Sequence, residues 1–264
     1  MPDTFAGQGY IVTGAASGIG LATAQALKAR GARLALWDRD DSALAAAAER
    51  LAASACVVDV ADNAAVQAAL RESAAHLGSV QGVIHAAGIL RAGAFEAVSL
   101  EAHRQTIEIN LIGTLNVAYA TLPYLKAGRG SLTLIASTAA LAGPPEYAAY
   151  GASKAGVLNL AQALRIELAS DGVHIGVVCP LFVQTPMLAG YNGHTSLIRS
   201  RSWLFDIWTP EAVAEVILQA IERRRFLIWP GWRPRLIFWL SRYASFLSYP
   251  LTMFTYRQGT RRQL

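Results

Sequence analysis

The chain is poor in cysteine: Cys56 and Cys179 are the two in 264 residues, and both sit inside apolar, strand-like runs. That excludes a disulfide-stapled framework and fits buried, reduced thiols in a reducing compartment. Charge is sparse too, at 16% of residues against 53% hydrophobic, so a large core can form and no stretch has the composition of a disordered segment. The opening Met1-Pro2-Asp3-Thr4-Phe5 lacks a basic n-region and an apolar h-region. No secretion signal is expected, and a cytoplasmic location follows. There is no internal repeat, and no linker interrupts the pattern, which predicts a single domain.

Acidic residues are missing from the end of the chain. From Arg223 onward there are nine arginines and no Asp or Glu, so the net charge of +5 belongs to the tail and the first 222 residues carry −4. A dispersed basic surface would suggest nucleic acid, which is not expected here. The arginines alternate with Trp, Phe, Tyr and Leu, a composition that suits a membrane surface. Over Arg235 to Ser248 a helical projection places Ser241, Arg242, Ser245 and Ser248 on one face. Leu236, Ile237, Trp239, Leu240, Tyr243 and Leu247 occupy the rest. Arg242 and Pro250 interrupt the run, and spanning a bilayer needs about 20 apolar residues. Two readings stay open for the tail: peripheral contact at the inner membrane face, and an oligomer interface. The expected division is residues 1–231 as a dinucleotide-binding and catalytic domain, and 232–264 as a basic, aromatic, amphipathic extension.

What is present is a regular alternation. A short apolar strand over 8–13 is followed by Gly14-Ala15-Ala16-Ser17-Gly18-Ile19-Gly20 and an alanine-rich helix to about Arg30. Glycines there permit a tight turn and let backbone approach a pyrophosphate, whose charge suits the N–H groups of a helix start. The second strand, Arg33 to Trp37, ends at Asp38. An acid at that place meets the adenosine ribose and repels a 2′-phosphate, which favours NAD over NADP. Arg39 points the other way, since a guanidinium can engage such a phosphate. Further strands over 55–58, 82–86, 132–136, 173–179 and 226–229 alternate with helices over 41–53, 62–77, 99–126, 147–169 and 210–223, with Asp62 as a helix cap. This predicts a Rossmann-like, doubly wound parallel sheet of the α/β class. Ligands then bind beyond the carboxyl ends of the strands, where Gly14, Asp38, Asp59, Gly88, Ser137 and Pro180 all fall.

Tyr150 and Lys154 are four apart, so a helix carries them side by side. A cation beside a phenol favours the phenolate, which would let Tyr150 exchange protons near neutral pH. Ser137, at the end of Leu132-Thr133-Leu134-Ile135-Ala136, could hold a carbonyl or alcohol oxygen beside it.

The chain resembles the short-chain dehydrogenase/reductase family over residues 8 to about 228. Thr13 to Gly20 is similar to its cofactor motif, Asp59-Val60 to its adenine contact, and Asn110, Ser137, Tyr150 and Lys154 to its catalytic tetrad. The resemblance implies Tyr150 as acid/base, Ser137 orienting the substrate oxygen, and Lys154 lowering the Tyr pKa and holding the ribose. It implies Asn110 anchoring a water in a proton relay. Ala87 and Gly88, and Pro180 with Val183-Gln184-Thr185, resemble further cofactor contacts. A homodimer or homotetramer is also implied. Two positions depart from the family pattern. His85-Ala86-Ala87-Gly88 replaces Asn-Asn-Ala-Gly, where His85 is expected to be structural, and Leu181 follows Pro180 where glycine is usual.

Residues 181–208 are expected to form a substrate lid, offering Phe182, Met187, Leu188, Tyr191, Trp203, Leu204, Phe205 and Trp208 and few charges. That favours a lipophilic alcohol or ketone: steroid, long-chain or aromatic. The expected activity is NAD-dependent dehydrogenation of such an alcohol. The alternatives are an NADP-dependent ketone reductase of lipid metabolism and a non-catalytic NAD-binding scaffold. No metal site is expected.

Overall fold

The computed structural model describes residues 4–189 and 207–244, together with 246, 249, 250, 252–254, 256 and 257. Seven parallel strands form one sheet in the order β3-β2-β1-β4-β5-β6-β9. They are β1 (Gly9–Thr13), β2 (Arg33–Asp38), β3 (Ser54–Val57), β4 (Gly82–His85), β5 (Ser131–Ile135), β6 (His174–Val178) and β9 (Leu227–Ile228). A separate pair, β7 (Phe182–Val183) and β8 (Ile207–Trp208), clasps the two ends of the expected lid. Every residue of β1, β5 and β6 is buried. Strands covered on both faces read as unbroken apolar runs for this reason.

Helices α1 (Gly18–Ala29) and α2 (Asp41–Leu51) cover one face with α9 (Pro210–Glu222), burying Leu27, Leu44 and Ile217. Helices α3 (Asn63–Leu77), α5 (Gly113–Gly128) and α7 (Ala148–Glu167) cover the other, burying Leu70, Val117 and Val157. Helix starts are marked in the sequence: Asp62 accepts hydrogen bonds from the N–H groups of Ala64 and Ala65, and Thr209 accepts one from Ala212. Strand order reverses between β1 and β4, whose carboxyl ends lie side by side with Thr13 paired to His85. A ligand crevice opens there.

Three features add detail to the expected architecture. The helical region expected over 99–126 is present and consists of α4 (Leu100–Ile107), a π-helical turn at Glu108–Ile112 and α5, so Asn110 sits in a bulge. A short helix, α6 (Ala139–Ala142), was not foreseen. In the tail, α10 (Arg233–Tyr243) packs against α6, and its Phe238 ring lies 5.6 Å from that of Trp229. This docking turns Trp239 and Tyr243 outward beside Arg235 and Arg242, while half-buried Ser241 donates to the Phe238 carbonyl. Of the expected polar face, Arg242 is exposed and Ser241 half-buried, while Ser245 and Ser248 lie outside the described residues. Arg223, Arg224 and Arg225 precede β9, at the amino ends of the strands and away from the crevice. Among the described residues no helix is long and apolar enough to cross a membrane.

Candidate active site

The crevice begins with the glycine turn. Gly14 has φ +64°, and a Cβ there would lie 2.8 Å from the Ala87 nitrogen; one on Gly20 would collide with the Gly14 carbonyl. Only bare backbone lets α1 start this close to β1 and β4. Asp38 holds the turn from the side, accepting from the Ala16 N–H at 3.0 Å with one oxygen and from the Asp40 N–H at 3.1 Å with the other. Its carboxylate is thus fixed in a cleft of about 270 Å³ that also involves Gly14, Ser17, Arg39, Asp59, Val60, Ala87 and Gly88. Asp59 accepts from the Ala61 N–H, and Asn116 donates to the carbonyls of Val60 and Ala61. Asn116 was missed in the sequence because its partners lie more than fifty residues away. A dinucleotide fits this frame: a turn without side chains at the helix start, then a fixed carboxylate where a ribose would lie.

The cleft shares Gly14, Ser17, Gly88 and Met187 with a second cavity of about 300 Å³. Ser137, Tyr150 and Lys154 line that cavity, as do Gly18, Ile19, Gly20, Pro180, Val183 and Thr185 from the cofactor set. Phe182, Met187 and Leu188 line it from the expected substrate set, whereas Tyr191, Trp203, Leu204 and Phe205 lie outside the described residues. Leu90, Ala142, Pro144, Tyr147, Ile237 and Thr252 also line it. None of these six was singled out for the site, and the last two come from the tail.

Helix α7 carries Tyr150 and Lys154 on one side, with Lys154 Nζ 5.9 Å from the Tyr150 ring centre. The Tyr150 hydroxyl is hydrogen-bonded to Ser137, whose Oγ also accepts from the Ala139 N–H at 3.1 Å. Burial first, and the neighbouring Tyr147 to a smaller degree, push the Tyr150 pKa up to about 12 against the pull of Ser137. Lowering by Lys154, expected from the i, i+4 pairing, is not among the causes. The ammonium instead donates to the Ile135 carbonyl at 2.8 Å, and burial pulls its own pKa down to about 8. Both groups are thereby biased towards their neutral forms.

Asn110 is buried behind the cavity and does not line it. Its Oδ1 accepts from the Ile89 N–H at 2.7 Å, while its Nδ2 donates to the Ile89 carbonyl at 2.9 Å and to Ser153 Oγ at 3.1 Å. It ties the loop after β4 to α7. His85 is buried at the end of β4: the Ala87 N–H donates to Thr13 Oγ1, which lies 2.8 Å from His85 Nδ1, and burial drives the imidazole pKa down to about 3. Leu181, the other departure, lines the cavity. Among the described residues no group of three or more His, Cys, Asp or Glu could hold a metal.

Residues 9–195 match the family model described as short chain dehydrogenase. The chain is 40% identical over 189 residues to a 2-dehydro-3-deoxy-L-rhamnonate dehydrogenase (NAD(+)) of Sphingomonas sp., covering 70% of this chain and 75% of that one. It is 33% identical over 224 residues to a cis-4-hydroxycyclohexanecarboxylate dehydrogenase of Sinomonas cyclohexanicum, covering 82% and 90%. A short chain dehydrogenase/reductase of Burkholderia phymatum, solved in complex with NAD, superposes with a TM-score of 0.79 at 26% identity over 89% of this chain and 93% of that one. Sheet order, glycine turn and matched segment agree: this chain belongs to the short-chain dehydrogenase family, NAD(P)-dependent oxidoreductases that act on alcohols and ketones.

Proposed function

We propose that the protein interconverts an uncharged, lipophilic secondary alcohol and its ketone with NAD as the preferred cofactor. The observation that carries this reading is the cavity wall. Around Ser137 and Tyr150 it is built from Leu90, Tyr147, Phe182, Met187, Leu188 and Ile237. Lys154 is the one charged lining side chain among the described residues, and its ammonium is already committed to the Ile135 carbonyl. The Sphingomonas and Sinomonas relatives are named for carboxylates. Among the described residues a carboxylate in this cavity would find no cation beyond Lys154, and its burial would cost several kcal/mol. Steroid, long-chain and aromatic alcohols fit the wall without that penalty.

In this reading Ser137 holds the substrate oxygen and Tyr150 gives or takes its proton. Lys154 supports Tyr150 and reaches the nicotinamide ribose, while Asn110 keeps α7 and the loop after β4 in register. When bound, the nicotinamide supplies or accepts the hydride. Asp38 favours NAD, because a fixed carboxylate accepts ribose hydroxyls and repels a 2′-phosphate. The NAD of the Sphingomonas relative's name and of the Burkholderia structure supports the same choice. Residues 1–231 form the catalytic unit, to which the tail adds one wall. Ile112, Leu115 and Tyr119 leave an exposed apolar stripe along α5 and the turn before it, which supports a homo-oligomer formed through that helix.

An activity screen tests the function. Steroid, long-chain and aromatic secondary alcohols are compared with hydroxy acids of matched size, each with NAD and with NADP. The expected outcome is a kcat/KM at least about tenfold higher for the uncharged alcohols. Equal or better turnover of the acids overturns the substrate class, and tighter binding of NADP overturns the cofactor preference.

A further inference from the structure

We propose that the outer face of α10, with the segment after it, docks onto an anionic lipid bilayer at the mouth of the active-site cavity. The face is defined by Arg235, Trp239, Arg242 and Tyr243, all exposed and spaced 4, 3 and 1 residues apart, so they share one side of the helix. Trp239 and Tyr243 pack against each other at a tilt of 34° with ring centres 4.6 Å apart, yet remain 51% and 65% exposed. Trp232 just before the helix, and Phe246, Tyr249 and Phe254 after it, are 57% exposed or more. Aromatics with a polar edge settle at the headgroup level of a bilayer, and arginines beside them extend their heads to the phosphates.

A second copy of the chain is the competing occupant, and charge decides against it. A two-fold contact places the same patch on both sides. Residues 223–264 hold no acidic side chain, so such a contact would face arginine with arginine. An anionic leaflet supplies the missing charge, and each basic residue near it contributes about 1 kcal/mol. The inner side of the same helix gives the surface its purpose: Ile237 lines the cavity, as does Thr252 from the following segment. Delivery of a membrane-dissolved substrate to that cavity rests on the lipophilic-substrate reading, whereas docking itself does not.

The experiment is co-sedimentation of the full chain, without substrate or cofactor, with vesicles of phosphatidylcholine alone or mixed with phosphatidylglycerol, across a salt series. Binding should rise with phosphatidylglycerol and weaken with salt. Arg235→Glu/Arg242→Glu should lower the partition coefficient at least tenfold, while Trp239→Ser/Tyr243→Ser should remove the salt-resistant part. Far-UV circular dichroism and turnover of a water-soluble alcohol should stay at the wild-type level in both variants. The proposal is overturned if the full chain ignores anionic vesicles at low salt, if the charge-reversed variant binds as wild type does, or if either variant turns an oligomer into a monomer with no loss of lipid binding. Because binding is read without substrate, its failure leaves the substrate reading standing, and failure of the substrate screen leaves docking standing.

Discussion

At the scale of single residues, burial outweighs pairing in the active site. Tyr150 keeps its proton at neutral pH because burial holds its pKa at about 12. Ketone reduction, which draws a proton from the phenol, should therefore be flat up to about pH 7 and fall as Lys154 loses its proton near pH 8, with no separate step from Tyr150 below about pH 9; pH–rate profiles check this. Lys154 goes the other way, down to about 8 from 10.5, which amounts to about 3 kcal/mol of desolvation at 1.36 kcal/mol per unit. Lys154→Met should lose turnover without losing thermal stability, since release of that cost offsets the unpaired Ile135 carbonyl, worth about 1–3 kcal/mol. A clear drop in melting temperature would make the lysine a structural residue. Asp38 is held by two backbone N–H groups, so Asp38→Ser should loosen the glycine turn as well as narrow or reverse the NAD preference. Dissociation constants for both cofactors measure the effect. Charge and spacing picked out Asp38, Tyr150 and Lys154 from the sequence, but the direction of the Tyr150 shift was not legible, because it depends on which walls close around the ring.

At the scale of elements, local signals were legible and long-range ones were not. Gly14 and Gly20 announce the β1–α1 turn, and Asp62 and Thr209 announce their helices, because each acts within a few residues of itself. The π-helical turn around Asn110 was invisible: it is stabilised by Ile89 and Ser153, twenty-one and forty-three residues away. The facing of α10 was not legible for the same reason. Its sequence fits more than one rotation, and contact with α6 and Trp229 chooses between them. With Ile237 in the cavity wall, Ile237→Trp should fill part of the roughly 300 Å³ space. It should lower kcat/KM for bulky alcohols about tenfold or more while NAD affinity stays unchanged; equal loss on small and bulky alcohols would mean that α10 does not bound the substrate.

At the scale of the whole molecule, buried titratable groups set the pH range of stability. Burial lowers His85 to about 3 and His174 to about 4 from 6.5, so the unfolded chain binds more protons than the folded one below about pH 6.5. Stability is then lost as pH falls from about 6.5, approaching about 2.7 kcal/mol per pH unit near pH 5 for the two groups together. At the alkaline end burial raises Tyr10, Tyr150 and Cys179 to about 12, so the folded protein holds protons that the unfolded chain sheds; the lowered Lys154 opposes this between about pH 8 and 10.5, and stability falls above about pH 10. Urea denaturation across the pH range checks both limbs, and His85→Asn should flatten the acid one. These devices serve one assembly, a parallel sheet whose carboxyl ends join a cofactor cleft to the apolar cavity that Tyr150 lines. The most direct test of that assembly is the turnover of Tyr150→Phe on the best alcohol of the screen, read beside its NAD dissociation constant. With the proton-carrying hydroxyl gone and the ring kept, kcat should fall by about 10²–10⁴-fold while the dissociation constant stays near the wild-type value. A kcat within tenfold of wild type would place the acid/base elsewhere and contradict the assignment.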